Sequence, residues 1–427
     1  MKIKVQEMDY EEALLRMDHS HHNPVRPWLA FRFLLKLVSM PDLKATHFEC
    51  QRIGMEKLQK GEPCLILMNH SSFIDLKIAS VVFASRPFNI VCTSDGFVGK
   101  SWLMRSIGCI PTQKFVSDVK LVKDMVYAVR KLHNSVLMYP EASYSFDGTA
   151  TPLPESIGKC LKILNVPVVM VRTYGAFARD PLYNGLQLRK VKVSARVEYL
   201  LSPEEIKEKP VEELNRILRE QFSFDNFRWQ QENRVAIREK FRADYLNRVL
   251  YKCPHCKVEG KMMGKGTLLT CRACGKTYEL TEFGYMQAVD GKTEFPHIPD
   301  WYRWERECVR EELTKGTYRL DIPVDIYMMV NTKCIYKVGD GQLCHTTDGF
   351  HLTGCAGRLD CSQKPAASYS LYSDYYWYEI GDMICIGDQQ ILYYCFPKKA
   401  GDVVAKTRLA TEELWKLVRI VTGTRDE

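Results

Sequence analysis

A histidine and an aspartate five positions apart are the residues of this chain that could most directly do chemistry. His70 and Asp75 stand in the string NHSSFID at residues 69–75, just after the apolar run 64–68. An apolar run followed by a polar break and a new apolar-periodic segment is typical of a buried strand that turns into a helix. A histidine base with a carboxylate partner at the end of such a strand can activate a hydroxyl group.

The same spacing also has a purely structural explanation. Ser72 and Asp75 stand at the spacing of a capping box, so the carboxylate could serve only to start a helix. The histidine could then be an ordinary turn residue. For this string taken alone, both interpretations stay open.

Two Cys-x-x-Cys pairs predict a metal site further along the chain. Fourteen residues separate the pair Cys253 and Cys256 from the pair Cys271 and Cys274. This pattern matches a four-thiolate tetrahedral zinc site in a zinc ribbon. A closed four-cysteine site leaves no position for substrate or water, so we predict a structural zinc ion. His255 lies inside the first pair and is expected to be a bystander.

The predicted ribbon has a basic surface, which nucleic acid would also favour. The basic residues are Lys257, Lys261, Lys265, Arg272 and Lys276. Aromatic residues are not interleaved with them. We therefore favour docking between domains, to a protein partner or to a membrane over binding to nucleic acid.

The totals indicate a globular protein of several domains. A chain of 427 residues exceeds the size at which one core keeps growing, so two or three domains are expected. The composition, 46% hydrophobic and 26% charged, excludes a disordered chain and a membrane bundle. A formal net charge of +8 favours anionic partners without choosing among lipid, nucleic acid and phosphorylated cofactors.

The sequence favours a cytoplasmic location. Sixteen cysteines could suggest disulfides, but several lie in apolar runs, where a free thiol behaves as a small hydrophobe. The N-terminus begins with an acidic, helix-forming segment instead of a secretory signal. We expect a reducing cytoplasm. No apolar run approaches the roughly 18 residues of a membrane span.

The order of predicted elements favours an α/β layered first domain. Strands are predicted at 64–68, 88–92, 136–139, 166–172 and 191–199, and helices between them include 120–132 and 156–164. Such alternation is typical of an α/β fold. The expected division is an α/β domain over 1–225, a helical linker over 226–250, a zinc ribbon over 251–283, a second linker over 284–320 and a β-rich domain over 321–427. A long amphipathic helix is predicted over 227–250.

The last part of the chain changes character. Turn signals separate strand-like segments, the stretch 368–378 is heavily aromatic, and one helix over about 407–421 ends the chain. Antiparallel strands closed by a C-terminal helix resemble the pleckstrin-homology architecture, which does not itself determine function.

An apolar stretch near the N-terminus has two interpretations. Within residues 28–38, one helical face carries Phe31, Leu34, Leu35 and Val38, while Arg32 and Lys36 lie on another face. A helix of this kind can lie in the plane of an anionic membrane. Packing into the protein core is the alternative.

Four blocks of sequence, in order, resemble the glycerolipid acyltransferase superfamily, which includes the lysophosphatidic acid acyltransferases. The blocks are the string 69–75, the segment 99–114, the segment 139–145 and the strand 166–169. The resemblance extends over roughly residues 60 to 180. It implies acyl transfer from a thioester to a hydroxyl.

The resemblance also implies roles for individual residues. His70 would be the general base that deprotonates the acceptor hydroxyl, and Asp75 would hold the imidazole tautomer. The substrate is then the nucleophile, so no catalytic serine is assigned. The substrate-binding residues implied are Arg105, Lys114, Glu141 and Ser143.

The third block departs from the family pattern. The family usually reads Pro-Glu-Gly-Thr-Arg-Ser, and its arginine is thought to hold the phosphate of the acceptor. Here Tyr144 replaces that arginine, and a tyrosine cannot offer phosphate a cationic fork. Either Lys114 binds the phosphate with Arg105 or Lys100, or the acceptor lacks that phosphate.

The resulting hypothesis is a peripheral membrane enzyme of glycerophospholipid synthesis. It would move a fatty acyl group from acyl-CoA or acyl carrier protein to a hydroxyl of a lysophospholipid-like acceptor at the membrane surface. The alternative is a non-catalytic lipid-binding or sensing protein, with an acyltransferase-like domain and a zinc ribbon for partner docking. The intact His70 and Asp75 favour the enzyme.

Overall fold

The first half of the chain alternates buried strands with helices, as predicted. The structure is a computed structural model that describes residues 2–18, 20–116, 118–399 and 403–421. The elements of this half are β1 (Val5–Glu7), α1 (Tyr10–Leu14), α2 (Leu29–Ala45), β2 (Glu49–Ile53), β3 (Leu65–Met68), α3 (Ile74–Val82), β4 (Phe88–Thr93), α4 (Ser101–Ser106), β5 (Cys109–Thr112), α5 (Val119–Arg130), β6 (Ser135–Met138), α6 (Ile157–Leu164), β7 (Val168–Tyr174), α7 (Ala176–Arg179), β8 (Ser194–Leu201), α8 (Pro203–Glu208), α9 (Val211–Phe222) and α10 (Asn226–Glu232). The five predicted strands and two predicted helices are confirmed to within three residues at each end.

The strands β2 to β8 form one mixed sheet. Their order is β2-β8-β7-β3-β6-β4-β5, and only the β7–β8 pair is antiparallel among these neighbours. The central strand β3 is buried along its whole length, because helices cover both faces of a parallel sheet. The strands β3, β6, β4 and β5 are parallel neighbours, so their carboxyl ends lie along the same sheet edge. Ligands bind at this edge in open α/β sheets.

The long helix predicted over 227–250 is wrong. Helix α10 ends at Glu232, and Arg234 then takes a left-handed φ of 50°. The following amides find partners outside a helix: Ala243 donates to the carbonyl of Gly266 at 2.9 Å, and Tyr245 to that of Gly264 at 3.1 Å. The apolar periodicity of this segment therefore serves packing against the next module, since its backbone pairs there.

Residues 251–320 hold a small antiparallel sheet and a long helix. The sheet has the order β12-β11-β10-β9, from β9 (Met262–Lys265), β10 (Leu268–Cys271), β11 (Thr277–Leu280) and β12 (Met286–Ala288). Helix α11 (Ile298–Thr314) occupies nearly half of the stretch expected to be a linker. Its buried Trp301 donates to the carbonyl of Lys252 at 3.0 Å, so the helix is packed against the chain that leads into the sheet.

Residues 320–399 and 403–421 form an antiparallel sheet closed by a helix. The elements are β13 (Leu320–Met329), β14 (Ile335–Thr346), β15 (Gly349–Gly354), β16 (Leu359–Gln363), β17 (Tyr372–Trp377), β18 (Gly381–Gly387), β19 (Leu392–Pro397) and α12 (Val403–Val421). The strand order is β16-β15-β14-β13-β19-β18-β17. The N-terminal strand β1, which was expected to belong to the first domain, pairs in parallel with β14.

Helix α2 carries its apolar side chains on the outside. Phe33 and Leu37 are 69% and 57% exposed. The polar side faces the protein instead: Arg32 donates to the carbonyl of Ala84 at 2.9 Å, and Ser39 bonds with Ser80 at 3.0 Å. Arg32 therefore lies on the protein-facing side of α2, away from the exposed Leu34 and Val38. Among the described residues, none of the helices combines the length and apolarity that crossing a membrane requires.

Candidate active site and metal centre

The predicted histidine and aspartate lie in contact at the carboxyl end of β3. The Nδ1 atom of His70 is 3.3 Å from Oδ2 of Asp75. This contact favours a proton on Nδ1, which leaves Nε2 as the basic nitrogen. Asn69 holds the turn, since its Oδ1 accepts from the amide of Thr173 at 2.8 Å. The turn from strand to helix thus presents a base whose tautomer is set by a carboxylate.

The structural explanation for Asp75 holds together with the chemical one. Oδ2 of Asp75 accepts from the amides of Ser71 at 2.8 Å and Ser72 at 3.0 Å, at the start of α3. These two bonds anchor a fully buried carboxylate, because charge-assisted bonds to backbone N–H groups are strong. The residue that starts the helix is therefore also the one that orients the imidazole.

Two tyrosines lie against the imidazole of His70. The ring of Tyr139 is 4.2 Å from it, centroid to centroid, and the ring of Tyr144 is 4.1 Å from it. Burial lowers the pKa of His70, and the neighbouring Asp75 opposes that effect. The imidazole is accordingly held neutral and ready to accept a proton. Tyr144, which replaces the expected arginine, contributes to this environment with an aromatic ring instead of a charge.

Glu141 lies behind the histidine. Its carboxylate accepts from the amide of His70 at 2.9 Å and from the amide of Thr151 at 2.9 Å. Burial raises the pKa of Glu141 to about 7, while these two donors oppose the rise. Glu141 therefore joins the loop after β6 to the loop after β3.

A cavity of about 1450 Å³ opens beside the imidazole. Its wall includes His70, Tyr139, Tyr144 and Lys114 from the first domain. The wall is completed by residues from β17 and α12, more than 200 positions away in the sequence. The size suits a lipid-sized ligand, since drug-sized pockets fill roughly 300 to 1,000 Å³.

The predicted substrate-binding residues are distributed unevenly around this cavity. Lys114, at the end of β5, lines it. Glu141 is buried behind His70, and Ser143 accepts from Nη1 of Arg408 at 3.1 Å, in the packing between α12 and the loop after β6. Arg105 is not one of the described residues that line the cavity. Burial lowers the pKa of Arg105, and the carboxylate of Asp124 opposes that effect. The structure thus brings only Lys114 of the four to the cavity.

Several cavity residues were missed from the sequence. Asp95 follows β4, and its Oδ2 accepts from the hydroxyl of Tyr372 at 2.7 Å and from Nε1 of Trp377 at 3.2 Å. Asp374 lines the same wall. The aromatic composition of the stretch 368–378 predicts only a strand. Its position over the base depends on how two distant domains pack, which no local pattern indicates.

The four predicted cysteines come together. The sulfur atoms of Cys253, Cys256, Cys271 and Cys274 lie within 4.8 Å of one another. The separations Cys253–Cys274 and Cys256–Cys271 are 3.8 and 3.7 Å. Four thiolates at about 2.3 Å from a tetrahedral zinc ion would be about 3.8 Å apart, so these residues fit the metal. His255 lies outside the cluster, with Nδ1 at 3.3 Å from Glu294.

Comparison with known proteins gives two findings and one absence. The family model described as Acyltransferase matches residues 50–172. The crystal structure of the 1-acyl-sn-glycerophosphate (LPA) acyltransferase PlsC from Thermotoga maritima is similar over 45% of this chain and 76% of that chain, with 16% sequence identity and a TM-score of 0.37. No curated protein matches the sequence.

Proposed function

We propose that the chain transfers a fatty acyl group from acyl-CoA or acyl carrier protein to a hydroxyl of a lysolipid acceptor. The match of residues 50–172 to the family model described as Acyltransferase supports this proposal. The observation that carries the proposal is the contact between His70 and Asp75 at the wall of a lipid-sized cavity. In this site His70 would supply the base that the proposed reaction requires.

In the proposed reaction the acceptor hydroxyl is the nucleophile. Nε2 of His70 takes the hydroxyl proton as the oxygen attacks the thioester carbonyl, and Asp75 stabilises the imidazolium. The tetrahedral intermediate then expels the thiolate, which receives the proton from His70, so an ester and a free thiol are formed. Ser72 is needed in none of these steps; its buried hydroxyl donates to Asp180 and accepts from the amide of Ile74 at the start of α3.

The direct test is release of free thiol from acyl-CoA by the purified protein against a panel of lysolipids, repeated with acyl carrier protein as donor. Acceptor-dependent release, with the acylated product identified by mass spectrometry, would support the proposal. Binding of lipid without turnover from either donor would contradict it and favour the non-catalytic sensor.

The pH dependence tests the roles of the two residues. The general base must be neutral, so kcat/KM should rise with pH to a plateau, with a midpoint below the ordinary value of 6.5 for histidine, because burial lowers the pKa of His70. Asp75→Asn should lower kcat by about 10²-fold or more and shift the midpoint to still lower pH, since Asp75 raises this pKa. An upward shift in the variant would contradict the assignment.

We also propose that α2 brings the enzyme to the bilayer. Trp28, Phe31 and Trp102 form a ring cluster with centroid separations of 5.7 to 5.9 Å beside the exposed apolar side of α2. Exposed apolar patches with aromatic residues are typical of membrane interfaces. In the proposed reaction the acceptor and the product reside in the bilayer, so a membrane-binding surface gives the enzyme access to both.

Charge placed on α2 should weaken membrane binding. Each Phe or Leu buried in lipid contributes roughly 1.5 to 3 kcal/mol, so Phe33→Glu with Leu37→Glu should reduce the partition coefficient on phosphatidylglycerol vesicles by at least about tenfold. Vesicle co-sedimentation measures this quantity. Val289→Glu is a matched control, because Val289 is 57% exposed, as Leu37 is, and follows β12 of the small antiparallel sheet. Equal loss in both variants would contradict a role for α2.

The other modules enter the proposal through their packing. We propose a structural zinc ion in the four-cysteine cluster and a pleckstrin-homology-like C-terminal domain, supported by the strand order and the closing helix α12. The boundaries expected from the sequence are proposed with two changes: β1 belongs to the C-terminal sheet and α11 to the packing of the ribbon.

A further inference from the structure

The C-terminal domain forms one side of the catalytic cavity. Strand β17 lines the same cavity as His70, through Tyr372 and the residues 374–377, together with Trp415 of α12. The pairing of β17 with β18 is interrupted between Asp374 and Trp377, and Tyr376 takes a left-handed φ of 53°. Bulges of this kind re-aim side chains beside functional sites. The cavity wall is thus shaped by an irregularity in an otherwise regular sheet.

Lys114, a cation whose charge acts on His70, lies among carboxylates. Nζ of Lys114 lies 4.4 Å from the ring centroid of Tyr372. The charges of Asp374 and Asp95 both act on this ammonium group. Asp95 is held in place by Tyr372 and Trp377, so it cannot move away when a ligand enters.

Among the described residues, three cations line the cavity, and they are outnumbered by its carboxylates, which are Asp95, Asp118, Glu155, Asp244, Asp374 and Glu379. Besides Lys114, the cations are Arg219 and Lys416. A wall with this balance of charge is a poor receptor for a further anion.

Unpartnered polar groups in the wall suit hydroxyls. Oδ1 of Asp374 accepts from the amide of Tyr375 at 2.8 Å, and within the described part of the chain Oδ2 has no hydrogen-bond partner. The hydroxyl of Tyr144 likewise has no partner among the described residues and lies at the cavity. A hydroxyl both donates and accepts, so it can bond with a carboxylate, a phenol and an ammonium group. A phosphate monoester only accepts and carries a charge of about −1.5 to −2, so Asp374 and Asp95 would repel it.

We infer that β17 of the C-terminal domain, with Asp374 as its polar contact, forms the head-group site of the acceptor, and that this acceptor carries a neutral, hydroxyl-bearing head group instead of a phosphate monoester. The inference rests on the proposed acyl transfer and names its substrate class. Monoacylglycerol and glycosylated monoacylglycerol have this chemistry. Tyr144 stands where the superfamily has its arginine, which is consistent with the loss of a phosphate receptor.

The test compares kcat/KM for monooleoylglycerol, its glucosylated counterpart and 1-oleoylglycerol-3-phosphate, presented in phosphatidylcholine vesicles. At least one neutral acceptor is expected to exceed the phosphorylated one by about tenfold or more. Asp374→Asn should lower kcat/KM for that neutral acceptor about tenfold and raise the relative use of the phosphorylated one, because a hydroxyl acceptor and a repelling charge are both removed. Asp360→Asn, an exposed change on the same domain, is the matched control.

Two further measurements keep the inference open to refutation. Tyr144→Arg restores the cation of the superfamily pattern and should shift the acceptor ratio at least about tenfold toward the phosphorylated lipid, whatever happens to the absolute rate; this variant also serves if Asp374→Asn does not fold.

Preference of the wild type for the phosphorylated acceptor, or equal loss on all acceptors in Asp374→Asn, would overturn the inference and leave acyl transfer intact. Absence of transfer to every acceptor would overturn the proposed function instead. Acceptor binding, followed by tryptophan fluorescence, would then test the head-group inference by itself. Tighter binding of the phosphorylated lipid than of the neutral lipids would refute that inference.

Discussion

Replacing His70 with alanine is expected to reduce kcat/KM for acyl transfer by about 10³-fold or more, with the protein still folded. The imidazole is the group that takes the acceptor proton in the proposed reaction, and a general base contributes about 10² to 10⁴-fold. Asp75 cannot take over this role, because it is fully buried and is not one of the described residues that line the cavity. The measurement is steady-state thiol release with the best acceptor of the panel.

Two controls make the His70→Ala result specific. His351→Ala removes an imidazole that pairs with Asp360 at 2.9 Å on the surface of the C-terminal domain, and its turnover should match that of the wild type. Lipid binding by His70→Ala should persist, because the cavity wall from β17 is unchanged. Retained turnover in His70→Ala would eliminate the catalytic assignment. If the wild type binds lipid without turnover, the sensor alternative takes its place.

Removing the proposed zinc ion is expected to have the second large effect. Cys253 and Cys271 are buried in the same core cluster as Leu246 and Trp301, so the site is tied to the segment before the ribbon and to α11. A double change of Cys253→Ser and Cys271→Ser should reduce the zinc content from one ion per chain to nearly none. Structural zinc contributes about 10 to 16 kcal/mol to the folding of isolated zinc-finger peptides, so the ribbon should lose its ordered fold.

The consequence should extend to the active site. Gly264 approaches the preceding segment so closely that a Cβ would lie 2.3 Å from the carbonyl oxygen of Ala243. Tyr245 donates to Gly264 and lines the catalytic cavity. Loss of the metal should therefore lower kcat/KM as well as the melting temperature, and hydrogen exchange should report lost protection over residues 251–283.

A matched cysteine distinguishes the metal from general destabilisation. Cys308→Ser changes a half-buried thiol on α11 outside the cluster, and it should retain zinc and activity. Zinc content is measured by mass spectrometry of the purified protein, before and after treatment with a strong chelator. A double variant that keeps zinc, or a wild type purified without any bound metal and fully stable, would contradict the site.

The sequence by itself was sufficient for the local elements that carry the chemistry. His70 and Asp75 follow an apolar strand and start an amphipathic helix, and both signals lie within ten residues. The spacing of the two cysteine pairs likewise predicts the metal site. These features were predictable because strand, turn and helix preferences act over short distances, and the thiolate geometry of zinc limits the spacing of its ligands.

Tertiary structure decided what no window of sequence contains. Asp374 lies at the catalytic cavity only because β17 packs over the first domain. Arg105 lies outside the cavity because α4, which carries it, contributes none of the described lining residues. Residues 233–250 have helical periodicity, yet the amides of Ile237, Ala243 and Tyr245 pair with carbonyls of residues 264–282. The apolar face of α2 could have packed into the core, but the polar face of this helix packs against α3 instead. In each case the competing arrangements satisfy the same local preferences, and long-range packing and backbone pairing choose between them.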